Sequence, residues 1–573
     1  MANFFTDNKD IEFYLNDPRL KRIVELREKG YTEHETYPFA PEDFEDAQDN
    51  FRRVLSIVGE ISAETLAPAA SEIDVDGCTL ENNEVAYAPG AQEALKRFIQ
   101  ADMFGFTIPR EYGGLNFPMT IYMMAIEMVS RADASFMTLF GLQEISETIL
   151  EFATPELKDE YLPKLSSGEY TGAMVLTEPE AGSDLQAVGL KASYDEKQDC
   201  WFLNGVKHFI TNGCGEVLLV LARSEDNMQG GRGLSLFLCE KGDTVLVRRL
   251  EHKLGIRGSP TCELQFKNCR AYLVGQRKRG LTRYVMQLMN GARLAIGAQS
   301  VGIAQAAYIQ ALEYAKQRKQ FDKSIIEFPA VFDMLANMRV QIEAARSLLY
   351  EASIIVDQLQ GLERHGAEDK ETAKKSKELK RFANLLTPMV KYYASEMCNR
   401  VAYDAVQVLG GAGYMKDYEV ERIYRDARIT TIYEGTSQLQ VIGAVGGVTS
   451  GLFFKMLEGR KKDKHPKSLE SLAGKVEESE NRLKEAVGFI KEQNDHFCTD
   501  YHARGLVDMA VETLMGLLLL EGASKSGQKV TVAKKFLADS HPRIQMLAAK
   551  IMAGDVDTIS EFRGILDHDE ESH

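Results

Sequence analysis

The 573-residue sequence has no C-x-x-C pair, no long apolar run and no excess of basic residues, and each absence removes a class of function. Its eight cysteines (Cys78, Cys200, Cys214, Cys239, Cys262, Cys269, Cys398 and Cys498) are scattered. That spacing fits reduced thiols better than a disulfide framework or a zinc site. With 68 Lys+Arg against 85 Asp+Glu the formal charge is −17, so a phosphate surface would repel most of the chain and no nucleic-acid partner is expected. The most apolar windows, such as LMGLLLL at 514–520, fall well below the length that spans a bilayer. The N-terminus MANFFTDNKDIEFYL carries early acids and lacks the basic-then-apolar order of a secretory signal. The expectation is a soluble, cytoplasmic chain without integral membrane association.

Several chemical motifs are missing as well: there is no Walker-type loop, no strand-associated G-x-G-x-x-G, no H-E-x-x-H and no G-x-S-x-G. The ten histidines show no ligand spacing, so no metal site is expected, and His208 and His252 read as structural residues of β-runs. What is present is an ordinary globular composition, 44% hydrophobic and 27% charged, at a length that calls for several domains.

Residues 1–37 read as a polar extension with scattered aromatics that drapes over the rest. From 38 to 165, segments such as FEDAQDNFRRVLSIVGEI repeat apolar residues at helical spacings. Between 166 and 280 the texture changes to short β-branched runs broken by Gly, Asn and Asp, among them WFLNGVKHFITNG and EVLLVLARS. Helical periodicity returns over 281–455, interrupted by the charged run ERHGAEDKETAKKSKELK, which reads as a solvated loop or exposed helix. Beyond the lysine-rich neighbourhood of Pro466, residues 456–573 form an additional helical domain. The fold class is α+β, mainly α: an N-terminal helical bundle, a central antiparallel β-barrel-like domain, a C-terminal helical bundle and an extra C-terminal helical domain.

Three segments concentrate small polar residues where a core would exclude them. In VLTEPEAGSDLQA at 175–187, Thr177, Gly182 and Ser183 can present hydroxyls and backbone N–H groups to carbonyls or phosphates, or form only a capped turn. HFITNG at 208–213 sets Thr211 beside the aromatic Phe209, which suits a flat heteroaromatic ring or, equally, a strand entering a tight turn at Asn212-Gly213. In RITTIYEGTSQLQ at 428–440, Glu434 stands among apolar and hydroxyl residues with no basic neighbour in sequence. Poor solvation would raise its pKa and suit it to take a carbon-bound proton; an exposed loop glutamate is the alternative.

Taken in order, IPREYGGL (108–115), LTEPEAGSD (176–184), NGVKHFITNG (204–213), RKQFDK (318–323), AVQVLGGAGY (405–414), RIYRDARIT (422–430) and IYEGTSQLQ (432–440) resemble the acyl-CoA dehydrogenase flavoprotein family. The resemblance covers roughly residues 50–450. The extra N- and C-terminal segments resemble its enlarged bacterial branch, which includes 3-methylthiopropionyl-CoA dehydrogenases. It implies an FAD cofactor, an acyl-CoA substrate, electron-transferring flavoprotein as the electron acceptor, a place in fatty-acid β-oxidation, and a homodimer or homotetramer. Leu176 and Thr177 are then expected at the flavin pyrimidine side, with Gly182 and Ser183 toward a phosphate. Phe209 is expected over the ring and Thr211 near N5. Arg318, Gln320, Phe321, Gln407 and Gly411 come from a neighbouring subunit to the adenosine and pyrophosphate end, and Thr436 and Gln438 also touch FAD. Glu434 is the implied catalytic base, and Ser183, Arg293, Tyr433 and Gly435 the substrate contacts.

Some relatives carry the base on a helix just before an arginine; here Gly291 and Ala292 precede Arg293, so no carboxylate is expected there. Pro329 stands where many relatives have glutamine, which puts one contact at the adenosine end in doubt. Met137, Thr138 and Phe140 suggest an apolar acyl tail; Gln143, Glu144 and Glu147 nearby temper this, since one could face the pocket, while exposure is the expectation for them. Two alternatives stay open: an acyl-CoA oxidase using dioxygen, and a low-turnover DNA-binding flavoprotein relative, for which KKDKHPK at 461–467 is the one dense basic cluster in the C-terminal helices. Acyl length, branching and heteroatom preference are not readable.

Overall fold

The computed structural model describes residues 2–367, 369–460 and 465–554; residues 461–464 of the basic cluster lie outside them. Two compact units emerge: Met1–Ala383 with Val390–Ser437, and Asn384–Met389 with Gln438–His573.

In the first unit, the helix Met119–Ala132 is buried at every position but Arg131, because its sequence is apolar on all sides. The long helix Met286–Gln317 packs along it. The two backbones approach at Gly302, where an added Cβ would lie 2.3 Å from the Glu127 carbonyl oxygen. Glycine is what permits that crossing. Helix Pro329–His365 and, apart from residues 384–389, helix Lys370–Leu409 complete this half, and the described residues of the charged run form the exposed ends of these two helices.

The N-terminal extension is ordered. It forms helices Lys9–Leu15 and Arg19–Arg27, which bury Ile11, Leu15, Leu20, Ile23 and Val24. A buried ionic network fixes it to the bundle. Arg346, with no accessible surface, donates to Glu127 at 2.7 Å and to Asp10 at 3.0 Å, and the Tyr350 hydroxyl donates to Glu127 at 2.7 Å.

One element inside the helical block is not anticipated by its periodicity: a hairpin of β1 (Thr79–Glu81) and β2 (Glu84–Ala86). Its two-residue turn is Asn82-Asn83, both with positive φ (50° and 71°), the geometry that matches strand twist. The central domain contains β3 (Gly172–Val175), β4 (Lys191–Asp195), β5 (Cys200–Thr211), β6 (Val217–Arg223), β7 (Leu234–Glu240), β8 (Val245–Leu250) and β9 (Thr261–Val274). Pairing runs β6-β4-β5-β9-β7 and returns to β6, closing a barrel. It is antiparallel except that β3 lies parallel to β6 and β4 touches β6 in parallel at Lys191–Arg223. The strand β6 reads as one apolar run because both of its faces are covered. Leu218 and Val220 enter the barrel core, while Leu219 and Leu221 pack in a cluster with Ile145, Ile149 and Leu162 of the helical block. His208 lies in β5, but His252 lies in the loop after β8.

The second unit contains helices Glu470–Gln493, His496–Lys525 and Gly527–Met552. Its apolar run at 514–520 is buried in the middle helix. Among the described residues, no single helix is long and apolar enough to cross a membrane.

Arg346→Ala would strip Glu127 and Asp10 of a shared guanidinium in a dry environment. The expected cost is about 3–5 kcal/mol, read as a lower urea midpoint for the first unit. An unchanged midpoint would show that the network is not what holds the extension in place.

Candidate active site

The loop carrying Glu434 is held from three sides. It follows the short helical turn Arg428–Thr431, which Asn399 clamps by donating to the Ala427 carbonyl at 3.0 Å and to Thr430 at 3.3 Å. The Tyr433 hydroxyl bonds Gln299 of the helix Met286–Gln317. From the helix Lys370–Leu409, Lys391 Nζ donates to the Gly435 carbonyl at 2.6 Å. These restraints hold two consecutive left-handed residues, Glu434 (φ 54°) and Gly435 (φ 86°). For glutamate that conformation costs about 1–2 kcal/mol, so the surrounding contacts impose it.

Burial pushes the Glu434 carboxyl up to about 7, and the cations Lys391 and Arg293 oppose the rise. Lys391 has no accessible surface; burial lowers its ammonium to about 7, against the pull of Glu434 and Glu396. Burial also lowers Arg293, with Glu434 opposing, and its Nη1 donates to Asn290 at 3.1 Å. A glutamate without a basic neighbour in sequence therefore has two in space. Lys391 is a site residue that the sequence reading misses, although a lone lysine inside the apolar run LLTPMVKYYA was a usable signal.

A second carboxyl stands nearby. Glu144 opens the helix Glu144–Phe152 and is 8% exposed; its Oε1 is buried without a hydrogen-bond partner. Burial first, then the charges of Glu434 and Glu147, hold it well above the usual carboxylate range. It lies against Gly291: a Cβ built there would be 3.5 Å from the Glu144 carboxyl carbon. A carboxyl thus reaches the 291–293 turn after all, from another helix.

The exposure expected for this segment is corrected throughout. Gln143 accepts from the Gly105 N–H at 2.8 Å and donates to the Met103 carbonyl at 3.2 Å, while Glu147 pairs with Arg364 at 2.5 Å. These polar groups face the buried seam between helices, where specific partners replace water. Phe140 does not line a tail pocket: it has no accessible surface and sits among Phe98, Phe104, Phe106 and Tyr122. Met137 is buried as well, and the Thr138 hydroxyl bonds the Ser135 carbonyl and Ser259.

Leu176 and Thr177 lie on a segment bonded to β5, the strand that carries Phe209 and Thr211. Lys207 Nζ donates to the Leu176 carbonyl at 2.7 Å, and the His208 N–H donates to the Thr177 carbonyl at 3.0 Å, so the segment after β3 runs beside β5. A register shift between Lys207 and Ile210 puts Phe209 at φ 59° and leaves its ring 59% exposed. Such a bulge re-aims a side chain out of the sheet. Thr211 ends β5. The expected tight turn at Asn212-Gly213 is different in detail: Asn212 alone has positive φ, and its buried amide donates to the Gly172 carbonyl at 3.0 Å. Glu178 accepts from the N–H groups of Gly189 and Leu190 and pins the loop that exposes Gly182 and Ser183.

Arg318, Gln320 and Phe321 lie exposed on or beside a small hairpin (β10, Lys319–Gln320; β11, Lys323–Ser324) whose tip residues Phe321 and Asp322 are left-handed. Gln407 is exposed near the end of its helix, and Gly411 has open space around it. Thr436 is half-buried and Gln438 exposed. Phe209 and Phe321 are large apolar side chains left in water, each offering an aromatic face to a flat ring. His208, Glu251 and Glu263 bring ligand atoms within 4.8 Å of one another. However, Glu263 already pairs with Arg248 and Arg249, so that cluster is neutralised without an ion.

Four family descriptions match the chain in order: Acyl-CoA dehydrogenase N-terminal domain (48–169), middle domain (173–269), C-terminal domain (279–444), and a further Acyl-CoA dehydrogenase C terminal description (449–552). The 3-methylmercaptopropionyl-CoA dehydrogenase of Ruegeria pomeroyi is 36% identical over 428 residues, covering 70% of each chain. The 3-(aryl)acrylate reductase of Clostridium sporogenes is 34% identical, over 68% of this chain and 95% of that one. An acyl-CoA dehydrogenase from Bacillus anthracis, solved in complex with FAD, superposes with a TM-score of 0.76 at 25% identity, covering 90% of both chains.

Lys391→Met should move the Glu434 pKa above its value of about 7, because the larger of the two opposing cations is lost. Titration of a ¹³C-labelled Glu434 carboxyl by NMR reads this directly; an unmoved midpoint would remove Lys391 from the electrostatics of the site.

Proposed function

The chain belongs to the acyl-CoA dehydrogenase family, and on that premise we propose that it desaturates an acyl-CoA thioester to the trans-2-enoyl-CoA, with Glu434 as base. It is an FAD-dependent oxidoreductase of this type. The observation that carries the reading is the half-buried Glu434 on its left-handed turn, where burial pushes the carboxyl up to about 7 and Lys391 and Arg293 oppose the rise.

An α-carbon proton is too weakly acidic for a carboxylate in water, so the site must strengthen the base and stabilise the developing enolate. Desolvation makes the Glu434 carboxylate a better proton acceptor, while its two cations keep a useful fraction ionised near pH 7. The surroundings of Glu144, burial first and then the charges of Glu434 and Glu147, hold its carboxyl well above the usual carboxylate range. The left-handed turn at Glu434-Gly435 sets the direction of the carboxylate, and in this reading the Glu434 backbone N–H donates to the thioester oxygen. When bound, FAD supplies the acceptor for the hydride that leaves the β-carbon. The proton and hydride together leave the two carbons joined by a double bond.

In this reading Leu176, Thr177, Phe209 and Thr211 hold the flavin ring, and Gly182 and Ser183 approach a phosphate. Thr436 and Gln438 close one side. Arg318, Gln320, Phe321, Gln407 and Gly411 serve the adenosine end of a second copy's cofactor, which makes the protein a homo-oligomer. Ser183, Arg293, Tyr433 and Gly435 border the substrate. Electrons leave to an electron-transferring flavoprotein; fast reoxidation of the reduced enzyme by air, with peroxide release, would point to an oxidase instead.

Glu434→Gln should keep its FAD but bleach with substrate about 10²–10⁴-fold more slowly; retained bleaching would remove Glu434 from its role. Because the ionised form is the base, bleaching in the native protein should fall as pH drops through about 7 and level off above it. A flat profile from pH 5 to 9 would contradict the assignment. Arg318→Ala should lower the flavin content of the purified protein, and an unchanged FAD-to-protein ratio would exclude the cross-subunit contact.

A further inference from the structure

Lys207 carries a charge to which the desaturation assigns no part. It stands in β5 with no accessible surface. Its Nζ donates to the Leu176 carbonyl at 2.7 Å and pairs with Glu178 Oε1 at 2.9 Å. Burial lowers its ammonium to about 8 and Glu178 opposes the fall, so the charge is present at pH 7. Replacing a buried ion pair by apolar residues is often neutral or stabilising, so stability alone is a poor reason for a lysine here.

The backbone beside it gives the charge a direction. The Leu176 carbonyl turns to Lys207, and the Thr177 carbonyl accepts from the His208 N–H at 3.0 Å, so both carbonyls of this segment face β5. No described peptide bond is cis, and in a trans peptide the carbonyl and the following N–H point opposite ways. The Thr177 N–H therefore points away from Lys207. Among the described residues nothing accepts a hydrogen bond from it, whereas the next N–H, of Glu178, is taken by the Ala181 carbonyl at 3.0 Å.

An ammonium on the carbonyl of a peptide makes its N–H a stronger donor, because linked hydrogen bonds polarise one another. Glu178 offsets this only in part. Its carboxylate also accepts from the Gly189 and Leu190 N–H groups at 2.8 and 3.0 Å, and it is Lys207 that touches the peptide. A sealed side chain touches no ligand, so Lys207 acts through the Leu176–Thr177 peptide. In the proposed reaction that peptide borders the pyrimidine side of the flavin. A hydride arriving at N5 adds one negative charge to the ring system, spread over N1 and the C2 carbonyl oxygen, and a charge held near that edge tunes the couple.

Resting on the desaturation reading, we propose that Lys207 is a positioning residue that sets the reduction potential of the bound flavin: through the Leu176–Thr177 peptide its ammonium favours the reduced cofactor over the oxidised one.

The test needs no substrate. FAD-loaded native, Lys207→Met and Lys207→Gln proteins are reduced stepwise against redox dyes, and each midpoint potential is read from the spectra. A midpoint reports how much more tightly one redox state is held than the other. A residue that only shaped the loop would weaken both states alike and leave the midpoint in place. Loss of the charge should move the reduced-to-oxidised ratio at least about tenfold toward the oxidised form, roughly 30 mV lower for a two-electron couple. Lys207→Gln, which keeps a hydrogen-bond donor without the charge, should fall with Lys207→Met. In the native protein, reduction at pH 6 should take up one proton for each pair of electrons beyond the hydride's own balance at N5, that is, none at N1, which stays ionised; this reading stands even where a variant does not fold. A variant midpoint at or above the native value, or protonation of N1 in the reduced native protein at pH 6, overturns the proposal. These readings are separate from the desaturation, whose own failure shows as a flavin that no acyl-CoA bleaches.

Discussion

A carboxylate in full contact with water is a feeble base toward carbon, and one buried with no counter-charge does not ionise at all. The Glu434 loop lies between those limits. Burial drives the carboxyl upward, and Lys391 and Arg293 stop it at about 7. The same burial lowers Lys391 to about 7, so the two groups share one narrow range of pH in which each sustains the other's charge. Remove either cation and the balance tips toward a neutral, inert acid.

The rest of the first unit serves to hold that balance in place. Lys391 fixes the loop through the Gly435 carbonyl, Tyr433 ties it to the helix that carries Arg293, and Asn399 anchors the turn before it. Two long helices, Met286–Gln317 and Lys370–Leu409, therefore set both the strained backbone at Glu434 and the positions of its counter-charges. The barrel contributes differently. Its bulge at Phe209 exposes an aromatic face at the end of β5, beside the segment that follows β3. In the proposed reaction the bundle manages the proton and the barrel offers the surface for a ring.

Much of this was legible from residue order. Residue pattern alone left Glu434 open as an exposed loop glutamate and Phe209-Thr211 open as a strand entering a turn; the ordered motifs that resemble the acyl-CoA dehydrogenase family are what singled them out. The ordered helical texture on both sides of a β-rich centre follows from periodicity alone. What periodicity cannot give is which distant residues meet. Lys391 lies 43 positions before Glu434 and Glu144 lies 290 before it, and a lone charge in an apolar helix looks alike whether it snorkels to water or is sealed inside. Gln143, Glu144 and Glu147 were read as exposed for that reason, since charge is normally evidence of solvent. The Asn82-Asn83 hairpin was missed because three-residue strands carry too little alternation to stand out, although the turn residues themselves were a fair signal.

The central claim is that the Glu434 carboxylate takes a proton from the carbon next to a thioester. Proton exchange isolates that step from redox chemistry. An acyl-CoA with no hydrogen on its β-carbon, such as 3,3-dimethylbutanoyl-CoA, is incubated with FAD-loaded protein in D₂O, and deuterium at the α-carbon is followed by mass spectrometry. The native protein should incorporate one deuteron per molecule, at a rate that rises as pH passes through about 7, and Glu434→Gln should incorporate none above the background without protein. Equal incorporation by the native and Gln proteins would contradict the account.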